Sequence, residues 1–187
     1  MPGKYTVRLT AAGVTLTKPV EVKADAGAGD LKPQFEMGLK LRELQSSTND
    51  ALRSLDGIRE QINTVNKTLS PEAAKDLVNA LRERLQQIAS IEDKLARPGN
   101  IPGYSMGPRL IDRLSQLAGG LENTLSNPTG PQREHYRELL GEFNQEVDRV
   151  NRLLSEGVPQ MNEMLKRQNA GTIATGKLVA KPAGVEP

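Results

Sequence analysis

The sequence predicts a mainly α-helical chain: an antiparallel bundle of about four helices behind an N-terminal β-hairpin left from a β-sandwich. Three observations predict it. Leu, Ile and Val recur every three to four residues in four separate stretches, the spacing that gives a helix one apolar face. Aromatic residues make up only 3% of the 187 residues, with no Trp, so aliphatic side chains must fill the core. A bundle can be packed that way more readily than a sandwich. Alternation with a period of two is confined to residues 4–23.

In the first element, Tyr5, Val7 and Leu9 fall on one face and Thr6, Arg8 and Thr10 on the other. Ala11-Ala12-Gly13 supplies a turn, with Gly13 free to take positive φ. Val14 and Leu16 alternate again, and Val20 and Val22 are expected to follow after a phase shift at Lys18-Pro19. Pro19 has no N–H, so an edge position or a bulge is expected there. Two strands alone are marginal in water, so residues 1–24 read as the last hairpin of a larger β-domain, and the Met-Pro-Gly start reads as a cut.

Residues 25–30 read as a linker, and residues 31–169 as the bundle. Asp30 caps the first helix, with Pro33 in its first turn. Its seam runs Met37, Leu41, Leu44, Thr48, Ala51, Leu55, Ile58, Ile62, Val65, Leu69. Ser70-Pro71-Glu72 restarts the pattern, and a second seam follows: Ala74, Leu77, Leu81, Leu85, Ile88, Ile91, Leu95. So short a connection folds the two helices back antiparallel. Residues 97–108 hold three Pro and three Gly and form a loop, which Ile101, Tyr104 and Met106 would pin to the bundle.

The third helix is expected from about Arg109 to Ser126, with Leu110, Leu114, Leu117, Leu121 and Leu125 inward. Gly119-Gly120 implies a bend or a close neighbour. The fourth starts at Pro131 and buries Tyr136, Leu140, Phe143, Val147, Val150 and Leu154. Gly157-Val158-Pro159 is expected to interrupt or kink it. Asp148 with Arg152, and Glu163 with Arg167, are spaced for ion pairs along the helix. Residues 170–187 lack a period and read as a flexible tail or a weak strand.

The charge pattern narrows the function. Lys and Arg number 25 against 23 Asp and Glu, for a net charge of +2, with the signs interspersed. Nucleic-acid binders concentrate base on one face, so no nucleic-acid partner is expected. No apolar run reaches the roughly 18 residues of a membrane span. The opening residues show no signal peptide. Without Cys, thiolate chemistry and disulfides are excluded.

No catalytic, cofactor-binding or metal-ligating residue is assigned, and no cofactor. His135 is the single histidine and reads as a surface residue beside Glu134 and Tyr136. Glu83, Glu92, Asp93, Glu138, Glu142 and Glu146 are carboxylates by abundance. Glu138, Glu142 and Glu146 step by four along one face, but a di-metal centre wants Glu-x-x-His on two helices, and one histidine does not supply two. A solvated face is the plainer account. Met37 and Met161 sit in seam positions, which makes them core.

The succession Gly3-Lys4-Tyr5-Thr6-Val7-Arg8-Leu9-Thr10, Val14-Thr15-Leu16-Thr17, Val20-Glu21-Val22-Lys23, then Asp30-Leu31, Gln34-Phe35-Glu36 and Leu39-Lys40-Leu41-Arg42-Glu43-Leu44 resembles the C-terminal region of large bacterial sortilin-like β-propeller proteins. These are often labelled BNR-repeat or sialidase-like glycosyl hydrolases. The resemblance spans roughly residues 2–165 and the loop with Tyr104 fits it. It implies β-propellers and an immunoglobulin-like module upstream, export from the cytoplasm, and a terminal helical bundle. Any hydrolase activity in the family label would belong to the propellers, so no functional residue is carried onto this chain. The expectation is a non-catalytic structural or interaction module. The alternatives are an independent binding protein with a groove near residues 97–108, or an enzyme with carboxylates inside the bundle. Ligand, partner and oligomeric state are not legible.

Overall fold

The structure is a computed structural model and describes residues 2–23, 29–69, 75–96 and 107–182. It is mainly α-helical with an N-terminal two-stranded hairpin. Strands β1 (Gly3–Ala11) and β2 (Val14–Val22) pair antiparallel. Four rods follow. They are α1 (Lys32–Thr68), α2 (Lys75–Leu95), α3 (Leu110–Glu122), and α4 (Gly130–Arg152) continued by a π-helical turn (Leu153–Gly157) into α5 (Val158–Arg167).

The hairpin turn is tighter than a three-residue reading implies. Ala12 and Gly13 alone make it, with φ of 48° and 79°. Positive φ at both central residues matches the right-handed twist of the flanking strands. The register runs unbroken from Ala11–Val14 to Gly3–Val22, so the expected phase shift at Lys18-Pro19 does not occur. Val14, Leu16, Val20 and Val22 are all even-numbered, and Lys18 simply interrupts one apolar face.

The α1 seam is buried as its spacing dictates: Met37, Leu41, Leu44, Thr48, Ala51, Leu55, Ile58, Ile62 and Val65 all face inward. At 37 residues the helix is roughly 55 Å long, enough to pack on α2, α3 and α4 along its length. Thr48 is tolerated in the core because its Oγ1 donates to the Leu44 carbonyl at 2.7 Å. The cap position falls on Leu31, which makes no side-chain cap bond, and not on Asp30 as expected; Asp30, one residue earlier, still accepts the Lys32 N–H at 3.0 Å, and Pro33 occupies the first turn, where a missing N–H costs little. In α2, Leu77, Leu81, Ile88, Ile91 and Leu95 are buried and Leu85 is partly so.

Helix α3 ends at Glu122, short of the expected Ser126, and Leu125 is 66% exposed. Gly119 and Gly120 therefore lie in its last turn. A Cβ at either would meet nothing within 4 Å, so no neighbour presses on them, and the helix runs through both. Helix α4 begins with Thr129 as its cap, the Thr129 N–H donating to Gln132 Oε1 at 2.8 Å. Its buried face takes Leu139, with Leu140 at the edge, in place of the reverse.

Pro159 does not break the rod. The π turn just before it widens the ladder to i→i+5, with the Val158 N–H reaching the Leu153 carbonyl. That widening relieves the clash a proline ring makes with the carbonyl four residues earlier. It also lets adjacent residues face the core together: Leu153 with Leu154, and Gly157 with Val158. Helix α5 closes with Asn169 at φ 49° and the Ala170 N–H on the Leu165 carbonyl at 3.0 Å, a Schellman end that turns the chain back along its own rod.

Residues 170–182 are not a free tail. They carry no helix or strand, yet Ile173 and Val179 are 2% and 6% exposed and join the main core. Most of the expected linker at residues 25–30, the cap at Ser70 to Glu72, most of the expected loop at residues 97–108, and residues 183–187 of the tail lie outside the described residues.

Candidate interaction surfaces

The best-built surface is the groove in which residues 173–181 lie. Asn162 Nδ2 donates to the Ile173 carbonyl at 2.8 Å, and Asn162 Oδ1 accepts the Ile173 N–H at 2.8 Å. Asn151 treats Val179 in the same way, at 3.0 Å and 2.8 Å. From the other wall, Gln61 Oε1 accepts the Ala174 N–H at 2.7 Å. Gln61 is held for that role by its own Nε2, which donates to the Gly57 carbonyl at 3.0 Å. Lys181 Nζ lies 2.7 Å from Asp148, which turns to the tail and not to Arg152 as its spacing suggests. A Cβ added at Gly171 would touch Val65, and one at Gly176 would touch Leu154, so the segment lies directly on α1 and on the π turn.

A second surface lies between the start of α1 and the end of α3. Leu31, Phe35 and Leu39 form one wall and Ala118 and Leu121 the other, enclosing an open groove of about 550 Å³. Phe35 and Leu39 are 42% and 40% exposed. Gln34 ties the walls together, its Nε2 donating to the Leu121 carbonyl at 2.6 Å and to the Thr124 carbonyl. Neither carbonyl has a helical N–H four residues on to accept, because α3 ends at Glu122; the Leu121 carbonyl also takes the Thr124 hydroxyl at 3.2 Å. Arg42 and Glu122 supply the polar rim.

The third surface is the hairpin. Tyr5, Val7, Leu9, Val14, Leu16, Val20 and Val22 share one face, and each is 41% to 65% exposed. Every described residue of both strands is exposed, so none of the described helices covers them.

Residues weighed for chemistry are dispersed. His135 is on the surface of α4, 3.3 Å from Glu138. Glu92 pairs with Arg59, Asp93 with Arg109 at 2.7 Å, Glu142 with Arg113, and Glu146 with Arg149 at 2.7 Å. Glu83 is exposed on α2. Glu92, Asp93 and Glu142 therefore join neighbouring elements, Glu146 is held within α4 by Arg149, and Glu83 and Glu138 face water. The hydrogen bonds that the Arg113 guanidinium donates to Glu142 hold it further above its already high range, against the opposing effect of burial. Tyr136 is 2% exposed, and its hydroxyl has no partner among the described residues. Burial first, and the Glu43 charge second, push that hydroxyl above its ordinary value of 10.0. Met37 and Met161 are core, as their seam positions imply.

Asn151, Asn162 and Gln61 carry no motif and were not candidates by sequence; polar residues beside a seam look solvated until a backbone is seen on them. The α1–α3 groove had a readable signal in Leu31, Phe35 and Leu39, a row stepping by four beside the main seam. Among the described residues no group of three or more His, Asp or Glu is placed to hold a metal ion, and no helix is long and apolar enough to cross a membrane. Comparison of the chain with protein-family models, curated proteins and solved structures finds no match.

Proposed function

We propose that the chain is a non-catalytic structural and interaction module of a larger protein, in which the hairpin belongs to an immunoglobulin-like β-sandwich and the helical bundle follows it. One observation carries the reading. The helices bury their apolar seams within the chain, whereas the hairpin leaves a whole apolar face uncovered, with Leu9 62% and Leu16 65% exposed. A two-stranded ribbon with that face in water is marginal, and uncovered apolar surface of this kind marks an interface. The resemblance to the C-terminal region of sortilin-like β-propeller proteins supports the same reading, with the upstream propeller and sandwich as partners and export as the context. Any activity in the BNR-repeat or sialidase-like label then resides in the propellers.

Deletion of residues 1–24 tests this. The expected result is unchanged helical circular dichroism and an unchanged melting temperature, because the hairpin belongs to another unit. A large loss of either would make the hairpin a cap of the bundle and sink the proposal.

A second reading is an independent binding protein, favoured by the α1–α3 groove, whose size suits a small apolar ligand. Here Phe35→Asp abolishes the binding of an apolar fluorescent dye; binding that survives it discards this reading. The alternative groove near residues 97–108 lies largely outside the described residues.

A further inference from the structure

The five hydrogen bonds that hold residues 173–179 go only to backbone groups of that segment. Asn162 and Asn151 each satisfy the N–H and the C=O of one residue, as the edge of a sheet would. Such contacts select an extended conformation and no particular side chain. Selectivity is left to the two buried aliphatic residues, Ile173 and Val179, and to Lys181 on Asp148.

The spacing fits an extended ligand. Asn151 and Asn162 are eleven residues apart on their rod, roughly 16 Å at the helical rise. Ile173 and Val179 are six apart, roughly 20 Å if fully extended, so the segment has a little slack between its two rungs. The stripe also continues. Asn144 lies seven residues before Asn151, two helical turns back on the same face, and its Oδ1 is buried with no partner among the described residues. Of the described tail, Ile173 and Val179 enter the core; the seams of α1 to α5 and the π turn supply the rest of the buried set.

We infer that the groove between α1 and the α4–α5 rod is a recognition site for an extended peptide segment, occupied here in cis by residues 173–181 as a displaceable strap. The segment it takes carries two β-branched aliphatic residues six apart and a basic residue two positions past the second. A strap joined by a short connection is present at high effective concentration, so a peptide in trans competes poorly until the strap is released.

The test uses the full chain carrying Ile173→Asp and Val179→Asp, which releases the strap, and a fluorescein-labelled peptide of residues 170–182. Fluorescence anisotropy is expected to show saturable binding to the released chain and binding at least about tenfold weaker to the wild type. Adding Asn151→Ala and Asn162→Ala removes four hydrogen bonds and weakens the peptide by at least about tenfold more. The inference is overturned if the released chain keeps its helicity and does not bind, if both chains bind equally, or if binding ignores the two Asn changes. A second measurement stands apart from those variants. In wild-type hydrogen exchange the Ile173, Ala174 and Val179 amides are expected to exchange at least about tenfold faster than the centre of α1, by local opening. Protection equal to that of the α1 core, or loss of the bundle's helicity in the released chain, makes the segment part of the fold and overturns the strap.

Discussion

Asn162 stands opposite Ile173 as one strand residue stands opposite another, giving and receiving a hydrogen bond at 2.8 Å each way. Both backbone groups are removed from bulk water, so their partner matters more than its net hydrogen-bond energy alone. Asn162→Ala is expected to lower stability by about 1–2 kcal/mol in urea unfolding. Asn162→Asp keeps an acceptor for the Ile173 N–H but loses the donor, and falls between the two. An unchanged urea midpoint for Asn162→Ala would show that the pair holds nothing in place.

Tyr136 presents the reverse situation, a buried hydroxyl without a partner. Tyr136→Phe removes that oxygen at constant shape and is expected to raise stability by about 1 kcal/mol. The pH dependence has a definite sign. A hydroxyl whose folded-state value is raised above 10.0 favours the fold while protonated. Its contribution is complete below that value and is lost as pH climbs through the higher folded-state value. Urea midpoints measured between neutral pH and about pH 11 should therefore fall less for Tyr136→Phe than for the wild type.

Two glycines in helical rods are expected to respond in opposite directions. A Cβ on Gly57, in the interior of α1, would meet nothing within 4 Å. Gly57→Ala should stabilise by about 0.5–1 kcal/mol through backbone entropy. A Cβ on Gly157 would lie 2.9 Å from Leu153 Cδ1, and Leu153 is 1% exposed with little room to move. Gly157→Val should destabilise by about 1–3 kcal/mol. Parallel thermal melts decide both; equal shifts would mean that the π turn yields more easily than its packing implies.

The hairpin turn carries a local strain. Ala12 holds a φ of 48°, which costs an L-residue with a Cβ roughly 1–2 kcal/mol unless it is Asn or Asp. Ala12→Asn creates an Asn-Gly turn suited to that geometry. Hydrogen exchange at the strand amides should slow several-fold, while the melting of the bundle stays where it was. Exchange that does not slow would mean that the turn is not what limits hairpin opening.

The parts of the fold that were legible are those governed by a repeating interval. Every α1 position from Met37 to Val65 in the 3–4 pattern is buried, including Thr48, because one long helix facing three others needs one continuous seam. The misread positions sit where the interval stops being informative. Leu125 continues the α3 spacing, but Gly119-Gly120 weaken the last turn, and the helix ends before reaching it. The π turn adds a residue without changing composition, so Pro159 looks like a break. The ordered tail leaves no interval for a different reason. Its anchors are amides on helices, as distant in sequence as Gln61 is from Ala174, and a single buried Ile or Val leaves no period. Of the three surfaces the hairpin face was legible, because its apolar residues alternate; the row Leu31, Phe35 and Leu39 lies beside the longer α1 seam, which hides it.

The place of Pro19 sets a direction for the hairpin. Across a two-residue turn Ala11 and Val14 exchange ladder bonds, and so does every second pair beyond them. Thr6 and Pro19 fall in the intervening class, so the proline nitrogen points to the outer margin of β2. A strand arriving on that margin would meet a missing donor at its middle. The outer margin of β1, formed by Lys4, Thr6, Arg8 and Thr10, has every donor and acceptor in place. Any sheet that incorporates this hairpin therefore grows from β1, and β2 is where it stops.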